Sequence, residues 1–101
     1  MREPSRYWLA FDLGLRGNYE ELYGWLDALE AMECGENIAT FRSAKTREEI
    51  AEELSSIVGS DKNVRLYLIS MRQGGKFIFG KRKASPWVGY SQQAVEAEEE
   101  K

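Results

Sequence analysis

Two kinds of spacing between apolar residues alternate along this chain. In four stretches the apolar residues are contiguous or fall at every second position, and β-branched and aromatic types are frequent, which predicts strands. These stretches are residues 6–13 (reaching 15 at most), 37–42, 64–71 and 76–80. In two other stretches, 19–34 and 47–58, apolar residues recur every three or four positions, which predicts amphipathic helices.

Polar residues and glycines indicate where the two helices begin and end. Asn18, followed three residues later by Glu21, gives the first helix a start resembling a capping box. Its apolar stripe continues to Met32, and Gly35 is predicted to end it. The second helix opens with Thr46-Arg47-Glu48-Glu49, a full capping box, and Gly59 suits the position that follows its last turn.

Glycines also predict a hairpin near the end of the chain. Gln73-Gly74-Gly75 is a turn sequence between strands 64–71 and 76–80. Residues 86–90 (Pro-Trp-Val-Gly-Tyr) are a candidate fifth strand. Residues 91–101 are rich in Glu and are predicted to form a disordered tail, which leaves residues 1–90 as a single domain.

Two helices and four or five strands predict an α+β sandwich of two layers, with both helices on one face of the sheet. The strands are nevertheless apolar at both alternating sets of positions. In strand one, Trp8 and Ala10 point away from the other apolar residues, and in strand three Tyr67 and Ile69 do the same. A second apolar face without a covering layer indicates a partner. We expect a homodimer packed through this face or through strand edges. The alternative is a monomer in which residues 87–90 cover the face.

Composition narrows the classes of protein and of chemistry. The chain has 101 residues, of which 43% are hydrophobic and 31% charged, as expected for one globular domain. No apolar run approaches the ~20 residues of a membrane helix, and we expect a cytoplasmic protein without a membrane partner. The absence of histidine excludes Ser-His-Asp and Cys-His catalysis. The single cysteine, Cys34, is expected to be a small buried hydrophobic group.

Charge is segregated along the chain. Residues 18–57 contain ten acidic and three basic residues, a net charge of −7, whereas residues 61–90 contain one acidic and seven basic residues, a net charge of +6. This distribution predicts a dipolar surface, one side of which could meet an anion.

One carboxylate, Asp12, lies close to the end of the apolar first strand. A charge there must be hydrogen-bonded, paired, metal-bound or at the rim of the sheet. Asp12 is therefore either the centre of a site or a cap for the loop between Gly14 and Gly17, with Arg16 as a nearby ion-pair partner.

Basic residues surround the last predicted strand. Two aromatic side chains, Phe77 and Phe79, are flanked by four basic residues that are candidates for nucleic-acid binding: Lys76, Lys81, Arg82 and Lys83. Aromatic groups between basic ones are typical of a strip that stacks bases and contacts phosphates. The alternative is that both phenylalanines share one core-facing side and that the basic residues protect a sheet edge.

Four segments resemble a known family. They are Tyr7-Trp8-Leu9-Ala10-Phe11-Asp12, Ile38-Ala39-Thr40-Phe41-Arg42, Thr46 to Leu54, and Val64-Arg65-Leu66-Tyr67-Leu68-Ile69. In order and type they resemble the small CRISPR-associated endoribonuclease-like adaptation subunit and the related virulence-associated protein D group. The chain departs from that pattern at Glu33 and Glu36, where the family is usually basic.

The resemblance implies a ferredoxin-like, dimeric fold and makes Asp12 the catalytic and metal-binding candidate, with one copy from each subunit sharing Mg²⁺. It implies a small module that associates with RNA or DNA. If the module is an enzyme, the resemblance implies weak metal-dependent phosphodiesterase activity. The alternative is a non-catalytic protein-interaction or regulatory module that docks through its apolar sheet face or its acidic helices.

Overall fold

The computed structural model describes residues 3–15, 17–59 and 63–82. In chain order the elements are β1 (Ser5–Asp12), α1 (Tyr19–Ala28), β2 (Met32–Gly35), β3 (Ile38–Ser43), α2 (Arg47–Val58), β4 (Arg65–Ser70) and β5 (Gly74–Phe79). The strands form one sheet in the order β2-β3-β1-β4-β5, with all neighbours antiparallel. The predicted α+β sandwich is confirmed, and β1 to β4 with the two helices follow the ferredoxin-like βαββαβ arrangement.

The alternation of side chains along the strands separates two faces of the sheet. Tyr7, Leu9 and Phe11 of β1 are buried beneath the helices, whereas Trp8 and Ala10 point to the other side and are partly exposed. Residues opposite one another on antiparallel strands share a face, so β3 and β4 divide in the same way.

Both helices cover the same face. Leu22 and Leu26 of α1 and Ile50 and Leu54 of α2 belong to one buried cluster with the inward residues of the central strands. At roughly 25 cal/mol per Å² of buried apolar area, this cluster is the main source of stability. The prediction that the two helices share one face of the sheet is therefore confirmed.

The first helix is shorter than its apolar stripe predicted. It ends at Ala28, and Glu30 adopts a left-handed conformation with φ +55°. The N–H groups of Glu30 and Ala31 donate to the carbonyls of Asp27 and Leu26, at 3.0 Å each. This is the Schellman arrangement, which usually places glycine where Glu30 stands. The sequence has no glycine at position 30 to signal this helix end. The prediction that the helix continues to Gly35 was therefore wrong.

The residues released from the helix form an additional strand. Met32 to Gly35 is β2, an edge strand that pairs with β3 through an irregular register between Glu33 and Gly35. It is the fifth strand of the sheet. Cys34 lies on this edge and is exposed, so the prediction of a buried cysteine was wrong.

The hairpin turn lies earlier than predicted. Ser70 pairs with Gly74, and the Ser70 hydroxyl accepts hydrogen bonds from the N–H groups of Arg72 and Gln73, at 3.1 Å each. The turn is thus residues 71–73, stabilised by a buried serine, and both Gly74 and Gly75 belong to β5. A hydroxyl that stabilises a turn in this way is a weaker sequence signal than a pair of glycines.

A register shift in the same hairpin separates two aromatic residues. Phe77 pairs with Tyr67 and Phe79 pairs with Leu66, with a bulge between them. Phe79 therefore packs against the core, whereas Phe77 lies on the opposite face beside Tyr67. The prediction that both phenylalanines share one face was wrong, because a bulge reverses the alternation.

The signals that bound the second helix are confirmed. Thr46 and Glu49 form the reciprocal capping box, and Gly59 ends the helix with φ +77°. Other predictions lie outside the described residues: the strand at 86–90, the tail at 91–101, and the positions of Arg16 and Lys83. Within the described ranges, no helix has the length and apolar character needed to cross a membrane.

Two leucines give a matched test of this core. Leu54→Ala removes a side chain that is 0% exposed, and we expect it to lower the free energy of unfolding by about 2–5 kcal/mol. Leu15→Ala removes the same atoms from a side chain that is 104% exposed and should change it by less than about 0.5 kcal/mol. Urea denaturation of both variants measures the difference. Equal losses would contradict the assigned core.

Candidate functional site

The side of the sheet away from the helices is the most distinctive surface of the described chain, and we call it the open face. Within residues 3–15, 17–59 and 63–82, both helices lie on the other side. Its members, assigned from the strand register, are Arg6, Trp8, Ala10, Asp12, Met32, Ile38, Thr40, Arg42, Arg65, Tyr67, Ile69 and Phe77.

Aromatic rings are paired at the β5 side of the open face. The rings of Tyr67 and Phe77 have their centroids 4.6 Å apart and are tilted by 55°. Glycine at position 75 makes room for this pair, because a Cβ there would overlap the Tyr67 phenol. The Arg82 guanidinium lies 5.7 Å from the Phe77 ring centroid, within cation–π range. The result is a pair of tilted aromatic rings with a cation at its rim.

A third aromatic residue of this face lies at the centre of the sheet. Trp8 on β1 is flanked by Thr40 on β3 and Ile69 on β4, and it is only partly exposed. The next residue outward on this face, Arg6, donates a hydrogen bond from Nη1 to Thr40 Oγ1 at 3.2 Å. Arg42 lies directly opposite Arg6. Two neighbouring guanidinium groups of like charge favour an anion between them.

The two sides of the sandwich differ in charge. The open face carries Arg6, Arg42, Arg65 and, at its rim, Arg82. Its acids are Asp12 and Glu36, which line the same cleft as Arg65. Both helices begin with acidic first turns and have no basic residue in the last turn. The predicted dipolar surface therefore corresponds to a basic sheet side and an acidic helix side.

Local contacts lower the pKa of two acids on the helix side. A hydrogen bond from its own backbone N–H lowers the pKa of Glu48. A hydrogen bond from Lys45 lowers the pKa of Glu53, and a second one from Trp25 Nε1, at 3.0 Å, contributes to the same effect. Both carboxylates are paired with cations, Glu53 with Lys45 and Glu48 with Arg47, so the negative charge of the helix side comes from its other acids.

Asp12 lies at the end of β1, where both carboxylate oxygens already have partners. Oδ1 accepts the Gly14 N–H at 3.2 Å, and Oδ2 lies 3.6 Å from Arg65 Nη2 on the adjacent strand. Gly14 itself has φ +77°, so the loop turns sharply here. Asp12 thus caps the loop that begins at Gly14, which is one of the two roles expected from the sequence, and its ion-pair partner is Arg65.

The residues around Asp12 do not fit a magnesium ion within one chain. Asp12 lines a shallow cleft of about 360 Å³ together with Glu36, Asn37 and Arg65. The Arg65 guanidinium occupies the position where a divalent cation would approach Oδ2, and like charges repel. Across the described ranges, no group of three His, Cys, Asp or Glu could hold a metal. A site shared by two copies of Asp12 stays a prediction.

The four basic candidates do not form one strip. Lys76 lies opposite Leu68, on the helix side, where its charge acts on Glu48. Arg82 lies against Phe77 at the open face. Lys81 is exposed beyond the end of β5, and Lys83 lies outside the described residues.

The sequence analysis assigned Trp8 and Tyr67 to this face and expected a protein partner there, but it did not consider them for nucleic-acid binding. It also missed Arg6, Arg42 and Arg65. The usable signal was the strand alternation, which places these arginines on the same side as Trp8.

Compared with known proteins, the chain matches no family model, no curated protein and no solved structure, so its function is argued from this geometry.

Replacing Asp12 tests its structural role. Asp12→Ala leaves the Gly14 N–H without its acceptor and Arg65 without its ion-pair partner. Because both interactions are exposed, we expect the free energy of unfolding to fall by about 1 kcal/mol, with or without millimolar Mg²⁺. Asp27→Ala, at an exposed aspartate of α1, is the control. Stabilisation of the wild type by Mg²⁺ that Asp12→Ala abolishes would contradict the capping role and favour the metal site.

Acidification tests the contacts of Glu53. Because its pKa is lowered in the folded state, Glu53 stabilises the fold above its unfolded pKa, and this contribution is lost as pH falls through the folded pKa. Between about pH 6 and about pH 3, Glu53→Gln should therefore lose less unfolding free energy than the wild type. Glu52→Gln, which leaves both Glu53 hydrogen bonds in place, is the control. Equal pH dependence of the wild type and Glu53→Gln would contradict the assignment.

Proposed function

We propose that the open face binds single-stranded nucleic acid, with bases stacked on its aromatic residues and phosphates contacted by its arginines. The observation that carries this proposal is the Tyr67–Phe77 pair with Arg82 at its rim, on the same face as Trp8. Both RNA and DNA present the required chemistry, since every base has a π face.

Sheet faces that carry solvent-facing aromatic residues are an effective platform for unpaired bases. A base that stacks on an aromatic side chain contributes about 1–3 kcal/mol, with little dependence on its identity. Arginine strengthens such sites, because its guanidinium both stacks on rings and pairs with phosphate oxygens. The open face combines both groups, with the aromatic pair on β4 and β5 and the Arg6–Arg42 pair on β1 and β3.

The charge distribution supports this orientation of the ligand. Phosphates are repelled by the acidic helix side and attracted by the arginines of the sheet side. A single strand lies flat on such a surface and exposes its bases, whereas the bases of a duplex are stacked on one another and unavailable.

No catalytic step is part of this proposal. The oxygens of Asp12 are engaged by Gly14 and Arg65, and the site does not fit Mg²⁺ within one chain. The proposal agrees with the nucleic-acid association that the resemblance to the CRISPR-associated group implies, but it assigns that role to the sheet face rather than to Asp12.

A second candidate function is docking of a protein, including a second copy of the chain, on the same side of the sheet. Met32 on the β2 edge is 68% exposed, and Ile38 beside it is 37% exposed. Two such groups are favourable for an apolar partner. A homodimer that covered the open face would exclude nucleic acid from it, so sedimentation of the free protein and of the complex separates the two functions.

Binding of a labelled single strand of about ten nucleotides tests the proposal. Tyr67→Leu keeps an apolar side chain but removes the ring, and we expect the Kd to rise roughly tenfold. Arg42→Gln should weaken binding and reduce the slope of log K against log salt by about 0.7. Fluorescence anisotropy at several salt concentrations measures both effects.

Two matched variants on the helix side serve as controls. Tyr23→Leu removes a ring from α1, and Lys76→Gln removes a positive charge beside Glu48. Both should retain the wild-type Kd. Absence of salt-dependent binding, or an equal loss in Lys76→Gln and Arg42→Gln, would refute binding at the open face.

A further inference from the structure

The cleft beside Asp12 exists because the residue on its floor is small. Ala10 of β1 is paired with Ile38 on β3 and with Tyr67 on β4, and these three side chains share the open face. Because the Ala10 methyl group is shorter than both of its neighbours, the sheet surface has a depression above it. The resulting cleft has a volume of about 360 Å³, which falls within the range of about 300–1,000 Å³ for small-ligand sites.

The side walls of this cleft are apolar. Tyr67 and Phe77, whose ring centroids are 4.6 Å apart, line one side, and Ile38 lines the other. A flat group above Ala10 therefore contacts an aromatic ring on one side and an aliphatic side chain on the other. Nucleobases suit such a slot, because their faces stack on rings and their edges carry the polar groups.

One end of the cleft is polar and is formed by three neighbouring segments of chain. Asp12 at the end of β1 is paired with Arg65 on β4, and Glu36 lines the cleft from the turn between β2 and β3. The Asn37 carbonyl accepts the Phe11 N–H at 3.0 Å, which holds this turn against β1. The charged groups thus follow one another across the sheet, with a carboxylate at one side and a guanidinium at the other.

Glu36 and Arg65 are the groups of this polar end that can take a ligand. Both oxygens of Asp12 are already engaged, by the Gly14 N–H and by Arg65. Among the described residues, no ion pair or side-chain hydrogen bond involves Glu36. Arg65 meets Asp12 through Nη2, and a guanidinium has further N–H donors. The cleft therefore offers an acceptor pair beside a donor group.

Guanine presents the complementary groups along one edge. Its N1–H and its amino group are adjacent donors, which suit the two oxygens of a carboxylate. Its O6 and N7 are acceptors, and arginine bound to both of them is the commonest base-specific contact in protein–DNA complexes. Adenine has an amino donor in place of O6, and uracil has no amino group. A carboxylate next to a guanidinium therefore favours guanine over the other bases.

We propose that this cleft binds a guanine base, with Glu36 accepting hydrogen bonds from N1–H and the amino group, and Arg65 donating to O6 and N7. The base lies above Ala10, beside the Tyr67 ring. This inference rests on the proposed function of the open face, and it adds a preference for guanine at one position of the bound strand.

Uridine strands of about ten nucleotides in which one central base is varied test this preference. A central guanine should lower the Kd of the wild type roughly tenfold relative to uracil. Hypoxanthine lacks the amino group and 7-deazaguanine lacks N7, so each should lose part of this gain. Fluorescence anisotropy measures the Kd values. Equal values for all of these strands would overturn the proposal.

The ratio of the Kd for the uracil strand to that for the guanine strand is the readout for variants, because a change in protein charge affects both strands alike. Glu36→Gln should lower this ratio several-fold and reduce the difference between guanine and hypoxanthine. Glu33→Gln removes the same charge from β2 at a residue paired with the buried Ala39, and it should keep the wild-type ratio. Equal ratios in the two variants would contradict the role of Glu36.

Two further variants test the other parts of the cleft. Arg65→Lys keeps the charge but loses the planar fork, so it should remove the difference between guanine and 7-deazaguanine. Ala10→Val fills the floor of the cleft without changing its polar end, and it should also lower the ratio. Urea denaturation establishes that Ala10→Val is folded. A folded Ala10→Val protein with the wild-type ratio would show that the base does not lie above Ala10.

A free nucleotide distinguishes failure of this inference from failure of the proposed function. Guanosine monophosphate at millimolar concentration should shift the amide signals of Asn37 and Tyr67 in NMR spectra, whereas uridine monophosphate should not. If these signals shift but no strand binds, the cleft is a guanine site and the single-strand function is wrong. If strands bind with equal Kd and guanosine monophosphate shifts neither signal, the single-strand function stands and the guanine site is wrong.

Discussion

The alternation of side chains along the two central strands is the constraint on which the rest of this protein depends. Each strand sends every second residue to the helix layer, and the residues between them must go to the other face. On β1 the buried Leu9 thus requires Trp8 and Ala10 to face away from the helices. With only one helix layer in the described chain, the second face is left with large aromatic and aliphatic groups. The properties of this second face follow from the fact that the helices cover only one side of the sheet.

Charge reinforces this division. The residues that cap and solvate the helices are mainly acidic, whereas the strand positions between the apolar ones include Arg6, Arg42 and Arg65. The sandwich is therefore polar across its thin dimension, with an acidic outer layer of helices and a basic, aromatic sheet surface. Contacts between Glu53, Lys45 and Trp25 hold part of the acidic layer in place, and they also position Trp25 edge-on to Phe41 of the core. One set of local interactions thus connects surface charge to packing.

Local signals were reliable where the backbone geometry needs a particular residue type. Thr46 and Glu49 form the capping box because their side chains match the free N–H groups of the helix start, and Gly59 tolerates a positive φ. Local signals failed where another interaction supplied the same geometry. Glu30 ends α1 in the left-handed conformation without glycine, and Ser70 makes the hairpin turn through its hydroxyl.

The candidate site shows the same limit. Asp12 is a charge at the end of an apolar strand. Its contact with Gly14 is a local consequence of that position, whereas its contact with Arg65 follows from the register of β1 against β4. The aromatic pair of Tyr67 and Phe77 could not be read from spacing, because the bulge in β5 reverses the side to which Phe79 points. A one-residue shift in register exchanges the faces of every residue beyond it.

The sequence by itself determined the number of layers, the position of the helix starts, the two sets of strand residues and the segregation of charge. These properties depend on periodicity and composition, which are local or additive. Only the tertiary structure decided that residues 32–35 leave the helix to become the edge strand, that Phe77 joins Tyr67, and that Arg6 lies opposite Arg42. Those outcomes depend on strand register and on competition between alternative hydrogen bonds. Both are settled by partners that are distant in the chain.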